Sequence, residues 1–155
     1  MEIRLDGEIL NLRFSCAHFL PTHTKCERIH GHDYAVSVEI GGANEKGMVV
    51  DFLLVERQIR EIIDEIDHHL LIPNQSDVLE WHKSGENLLI SYNGRLLSIP
   101  EVYTFHIDAD SSSSEDLSIF LLNSLWERLK NEKNVKSLKL CLHEGPGRVA
   151  CAEKR

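Results

Sequence analysis

Apolar and polar residues alternate through the first part of the chain. Leu10, Leu12, Phe14, Cys16 and His18 share one side of an extended segment, and Tyr34, Val36, Val38 and Ile40 share one side of a second. His30 and His32 are in phase with that second row. A period of two with one apolar side predicts two antiparallel strands, each with one buried face. A polar loop, Pro21 to Arg28, joins them. Gly41 to Gly47 reads as a turn, and Met48 to Phe52 leads out of it. The period then changes. Val55, Ile59, Ile62, Ile63 and Ile66 fall on one stripe of a helix, which ends near Asp67-His68-His69, with Pro73 beyond.

From residue 74 to 110 the pattern is less regular. Asn87 to Tyr92 and Arg95 to Ile99 flank Asn93-Gly94, a strong hairpin signal, so residues 75 to 110 are read as an inserted β-hairpin. The serine run Ser111 to Ser114 precedes a second helix, with Ser113 able to cap it and Asp116 able to reach back. Leu117, Leu121, Leu122, Leu125 and Leu129 form its buried stripe. Leu138, Leu140 and Leu142 then alternate into Glu144, and the turn Gly145-Pro146-Gly147 leads to a last strand at Val149 to Ala152. The order is strand, strand, helix, inserted hairpin, helix, strand, strand. It describes an α+β fold in a single domain spanning residues 1–155.

Composition narrows the class of protein. With 42% apolar and 27% charged residues, the 155-residue chain has the make-up of an ordinary globule. A net charge of −8 is the wrong sign for a nucleic-acid surface. No run of about eighteen apolar residues is present to span a membrane. The start, Met1-Glu2-Ile3-Arg4-Leu5-Asp6, lacks the basic and apolar regions of a signal peptide. The expected compartment is the cytoplasm, and Cys16, Cys26, Cys141 and Cys151 are accordingly expected as reduced thiols.

The candidate chemistry is concentrated in Cys26-Glu27-Arg28-Ile29-His30-Gly31-His32. Alternation puts the His30 and His32 imidazoles on one side of a strand, and His18 from the neighbouring strand supplies a third nitrogen. Three imidazoles make a zinc site with its fourth position open for water or substrate. Cys26 as a fourth ligand would instead close it into a structural site. Glu144 continues an apolar face, where an unpaired carboxylate is expensive. Either it reaches water at the strand end, or a ligand with adjacent N–H donors neutralises it. Asp67-His68 reads as a helix cap or as a carboxylate–imidazole proton shuttle. Cys26 beside a divalent metal would have a lowered pKa and serve as a base.

Phe14-Ser15-x-Ala17-His18, Cys26-x-x-x-His30-Gly31-His32-x-Tyr34, Val50-Asp51-Phe52, Asp67-His68-His69-x-Leu71, Ser113-Ser114-Glu115-Asp116-Leu117 and Glu144 together resemble the 6-pyruvoyl-tetrahydropterin synthase and 6-carboxy-tetrahydropterin synthase family. The resemblance implies the tunnelling fold: a four-stranded antiparallel sheet with two helices on one side, assembled as trimers or hexamers with active sites between subunits. It implies that His18, His30 and His32 bind Zn2+, that Cys26 is the base, and that Asp67 and His68 form its partner relay. Glu144 would anchor the amino-pyrimidine edge of a pterin, with Ser113, Ser114 and Glu115 beside the ring. Glu27 gives the chain a second arrangement, Glu-x-x-His-Gly-His, similar to members that cleave dihydroneopterin to 6-hydroxymethyl-dihydropterin. The thiol spacing is similar to that of the 6-carboxy enzymes of the queuosine and archaeosine route. The expected activity is therefore a zinc lyase acting on 7,8-dihydroneopterin triphosphate to give 6-carboxy-tetrahydropterin. The alternatives are the 6-pyruvoyl product, side-chain cleavage, or a non-catalytic pterin- or zinc-binding module.

Overall fold

The alternating rows pair where the pattern places them. A computed structural model describes residues 1–155. A short first strand, β1 (Glu2–Leu5), is followed by β2 (Arg13–His18) and the long β3 (His30–Gly42). β2 and β1 both run antiparallel to β3, along its first and second halves. Strand β2 begins later than its apolar row. Leu10 and Leu12 lie in the turn before it, where Asn11 takes a left-handed backbone with φ 53°. Leu12 is nevertheless fully buried, and its carbonyl accepts the Val36 N–H at 2.9 Å.

Helix α1 (Phe52–Ile66) buries the five residues of the predicted stripe. Four of the five are isoleucine, a residue that costs a few tenths of a kcal/mol per position in a helix. Each buried aliphatic side chain returns about 1.5–3 kcal/mol, so packing decides this helix and propensity does not. The Asp51 carboxylate caps it by accepting the Leu53 N–H at 2.9 Å. Asp67 ends it, donating its N–H to the Ile63 carbonyl.

Strand β4 (Leu70–Pro73) lies parallel to β2 and is fully buried. Strands β5 (Glu80–Ser84), β6 (Asn87–Tyr92) and β7 (Arg95–Pro100) form a separate antiparallel sheet. The hairpin read around Asn93-Gly94 is β6–β7, and β5 adds a third strand to it. β8 (Thr104–Ile107) returns to the main sheet, parallel to β4. Helix α2 (Ser114–Leu129) follows, with Ser113 Oγ accepting the Asp116 N–H at 3.2 Å and the Asp116 carboxylate reaching back to Ser111. β9 (Val135–Glu144) and β10 (Val149–Lys154) close the chain as the expected hairpin.

The main sheet runs β10-β9-β3-β2-β4-β8, with β1 also on β3. Its antiparallel four-stranded part is β10-β9-β3-β2. The short parallel pair β4–β8 widens it. A cluster of 26 buried residues fills the space between this sheet and the helices. A second, smaller cluster joins Phe19, Leu70, Ile72 and Leu79 to Leu88, Ile90 and Tyr92 of the small sheet. No helix is long and apolar enough to cross a membrane.

One expectation is corrected. Cys141 and Cys151 are joined by a disulfide and are not reduced thiols; only Cys16 and Cys26 are free. The two sit directly opposite each other on β9 and β10, with Cα atoms 4.1 Å apart. The expectation weighed only the compartment, whereas strand register brought the two sulfurs together.

Asp51→Ala removes the α1 cap and should lower stability by about 1 kcal/mol. Urea unfolding checks this, as a lower midpoint with an unchanged slope.

Candidate functional site

The β2–β3 register brings the three histidines to one end of the helix-facing side of the sheet. His18 lies directly across from His30, and His32 follows two residues on. Gly31 between them is needed for the close pairing: a Cβ there would stand 3.0 Å from the Cys16 carbonyl oxygen and press the two strands apart. One ring nitrogen from each histidine falls within 4.8 Å of the other two.

Hydrogen bonds orient two of the rings. His18 Nδ1 lies 2.6 Å from the Ser112 carbonyl and His30 Nδ1 lies 2.7 Å from the Arg28 carbonyl. A carbonyl only accepts, so both Nδ1 atoms carry the proton and both Nε2 atoms present lone pairs. Those two Nε2 atoms face each other at 3.1 Å. Facing lone pairs repel unless a cation or a proton sits between them. The third ring adds to the demand, because His32 Nε2 is buried without a hydrogen-bond partner. Burial shifts the His18 and His32 pKa values downward, which favours the neutral, ligating form. This donor set fits a zinc ion with an open fourth position.

Glu144 borders the cluster. Its Oε1 is 3.4 Å from His32 Nε2, and its other oxygen accepts the Ser114 hydroxyl at the first turn of α2. The parity argument is correct: the carboxylate faces the helix side. Ser113 is occupied in capping, bonded to Ser111 and to the Asp116 N–H. Glu115 lies apart from this group, lining a groove between α2 and β10.

Asp67 and His68 lie beyond the end of α1, against β2. The Asp67 carboxylate accepts the Ser15 N–H at 2.7 Å and pairs with His68 Nδ1 at 2.8 Å. His68 takes a left-handed backbone (φ 61°) and its side chain is 83% exposed. It lines an open cleft of about 580 Å³ together with Ser15, Gly31, Asp33 and Tyr103. Of the three clustered histidines only His32 reaches that cleft, and no hydrogen bond links His68 to the cluster. Cys26 is half-buried in the loop after β2, its N–H directed at His23 Nδ1 at 3.3 Å. Glu27 points to the small sheet, with Oε1 3.1 Å from Arg95 Nη2. His69, His106 and His143 make local hydrogen bonds, to the Asp67 carbonyl, Asn74 and Ser37.

Two contributors, Ser112 and Tyr34, were given no functional role from the sequence. Ser112 holds the His18 ring through its backbone carbonyl, and its hydroxyl donates to the Phe19 carbonyl at 3.0 Å. A backbone group leaves no side-chain signature. Tyr34 is completely buried, its ring centroid is 5.6 Å from that of His32, and its hydroxyl has no partner. Its signal was a single polar tip in an otherwise aliphatic row, and burial pushes its pKa upward.

The histidine cluster, the carboxylate beside it and the fold around them belong to one class, the pterin synthases. The family model of 6-pyruvoyl tetrahydropterin synthase matches residues 9–155, and the chain belongs to that family. A putative 6-carboxy-5,6,7,8-tetrahydropterin synthase of Methanocaldococcus jannaschii is 34% identical over 158 residues, covering 99% of this chain and 97% of that protein. The 6-carboxy-5,6,7,8-tetrahydropterin synthase of Haemophilus influenzae is 27% identical, covering 86% and 88%. Among solved structures, a Plasmodium vivax 6-pyruvoyltetrahydropterin synthase superposes with a TM-score of 0.91 at 27% identity, over 100% of this chain and 98% of its own. That structure is of a variant in which a catalytic glutamate is replaced by alanine.

The Asp67 carboxyl lies below its ordinary range. Burial pushes it upward, but hydrogen bonds from the Ser15 N–H and from His68 outweigh that. A carboxyl more acidic folded than unfolded adds stability that is complete above the unfolded value of about 3.9 and is lost as pH falls through the folded one. Asp67→Asn should therefore lower the urea midpoint at neutral pH. The difference from wild type should shrink to nothing in acid below both values.

Proposed function

We propose that the protein is a zinc-dependent lyase that converts 7,8-dihydroneopterin triphosphate to 6-carboxy-5,6,7,8-tetrahydropterin. The observation that carries this is the facing pair of Nε2 lone pairs on His18 and His30, with the orphaned His32 nitrogen beside them. Relatives named for the 6-carboxy product over nearly the whole chain favour that product above the 6-pyruvoyl one. His18, His30 and His32 hold the metal. Zinc in this place supplies Lewis acidity that makes the carbon next to a side-chain hydroxyl of the pterin more acidic.

The remaining roles fall to the chain itself. Glu144, held by Ser114, accepts the N–H donors of the amino-pyrimidine edge, and Ser113 serves that end by capping the helix that carries Ser114. Cys26 removes the proton, and Asp67 polarises His68 to carry one on the other side. Within one chain His68 shares the open cleft with His32 but makes no hydrogen bond to the cluster, and a second copy supplies the relay to each site. Strands β10 and β8 leave both edges of the main sheet unpaired, which suits edge-to-edge assembly into trimers or hexamers. A second reading, cleavage of dihydroneopterin to 6-hydroxymethyl-dihydropterin with Glu27 as the base, draws support from the catalytic glutamate of the Plasmodium vivax protein.

Metal analysis of purified variants tests the site. His30→Ala and His32→Ala should lose a stoichiometric zinc that His69→Ala and His143→Ala keep; full zinc in His30→Ala would overturn the assignment.

Incubating the zinc-loaded protein with dihydroneopterin triphosphate and, separately, with dihydroneopterin tests the reaction, with products identified by mass. Cys26→Ala should retain zinc and lose the 6-carboxy product by about a hundred- to ten-thousandfold in rate, the usual cost of a missing general base.

A further inference from the structure

The chain carries two candidate bases side by side, Cys26 and Glu27, and the small sheet holds the loop between β2 and β3 that bears them. Tyr92 at the end of β6 stacks on Phe19, the residue after His18, with ring centroids 4.8 Å apart. Its hydroxyl donates to the Glu27 carbonyl at 2.9 Å. At the β6–β7 turn, Asn93 donates to the Pro21 carbonyl at 2.7 Å. The turn therefore grips the loop near both ends. Inside the loop, the Leu20 N–H donates to the Cys26 carbonyl at 2.7 Å and the Glu27 N–H to the His23 carbonyl at 2.8 Å.

The Glu27 side chain is held as well as its backbone. Its Oε1 is 3.1 Å from Arg95 Nη2 and its Oε2 is 3.5 Å from Asn93 Nδ2. Both carboxylate oxygens thus face the small sheet, while the Cys26 thiol is free. A carboxylate in an ion pair must give up that partner before it can take a proton from a substrate. Packing alone would account for Tyr92 on Phe19, but it does not require a cation opposite Glu27.

We propose that Arg95 is a positioning residue that sets which of the two adjacent groups serves as the base. By holding Glu27 on the β6–β7 turn it leaves Cys26 to act, and it suppresses cleavage of the dihydroneopterin side chain. In that cleavage a base takes the proton of the 2′-hydroxyl, the C1′–C2′ bond breaks, glycolaldehyde leaves, and C1′ takes up one proton. No oxidant or reductant is consumed. The inference rests on the function proposed above.

The test compares wild type, Arg95→Ala, Arg95→Lys and Arg95→Ala/Glu27→Gln, each zinc-loaded. One readout is the ratio of 6-hydroxymethyl-dihydropterin formed from dihydroneopterin to 6-carboxy-tetrahydropterin formed from its triphosphate. Loss of one exposed ion pair allows a shift of about two- to fivefold. Arg95→Ala should raise the ratio by that amount, Arg95→Lys should stay near wild type, and the double variant should lose the gain. A second readout is the rate at which trypsin cuts after Lys25 and Arg28, which should rise in Arg95→Ala and not in Arg95→Lys.

An unchanged ratio, a fall in cleavage, or a gain that persists without Glu27 overturns the role of Arg95. Unchanged trypsin cutting alongside normal turnover overturns the clamp alone. Failure of the wild type to convert either pterin, with zinc bound, overturns the proposed function and this inference with it.

Discussion

Strands β2 and β3 are locked in a register that sets Phe14 opposite Tyr34, Cys16 opposite His32 and His18 opposite His30. The same alternation that sends Phe14, Tyr34, Val36 and Val38 into the core sends the three histidines to the end of that row, where the apolar packing stops. A slip of one residue would put the imidazoles on the other side of the sheet and take Tyr34 and Val36 out of the core. Core packing therefore fixes the histidine cluster. The cost of the wrong register, several buried side chains at about 1.5–3 kcal/mol each, far exceeds anything three neutral imidazoles could oppose.

Around that register the structure places groups that sharpen the site. The chain ahead of α2 passes His18 and offers it the Ser112 carbonyl, and the first turn of the helix sets Ser114 against Glu144. At the entry to β3 the Arg28 carbonyl, two residues upstream, meets His30 Nδ1. The contacts to His18 and Glu144 join segments far apart in sequence, whereas that to His30 comes from two residues upstream, and two of the three use backbone carbonyls. Their common effect is to hold two rings with the lone pair inward, an arrangement that costs energy unless a cation occupies the centre.

The small sheet shows how a surface element reaches the chemistry. Its buried face, Leu88, Ile90 and Tyr92, packs on Phe19, Leu70 and Ile72, residues that follow His18 and the Asp67-His68 segment along the chain. Its turn then meets the loop that carries Cys26 and Glu27. Hydrophobic packing positions the sheet, and three side chains at its tip, Tyr92, Asn93 and Arg95, convert that position into an orientation of the loop.

Much of this was legible in the chain. The period of two marked β2, β3 and β9, and the spacing of the isoleucines marked α1, because these elements each bury one side and leave the other polar. The histidine trio followed from the same parity, as did the inward aim of Glu144. Strands β1, β4 and β8 carried no such mark: they have four residues each, too few to show a period, and β4 is buried throughout. The Cys141–Cys151 bond was misjudged because compartment says nothing of which residues stand across from one another. The sequence by itself determined which strand positions gather the candidate side chains and which face of each strand they occupy, since alternation is a local property of the backbone. Only the tertiary structure decided that Ser112 sets the His18 tautomer, that no hydrogen bond links His68 to the cluster, and that Arg95 holds Glu27. Those depend on how distant segments pack, and no local pattern encodes them.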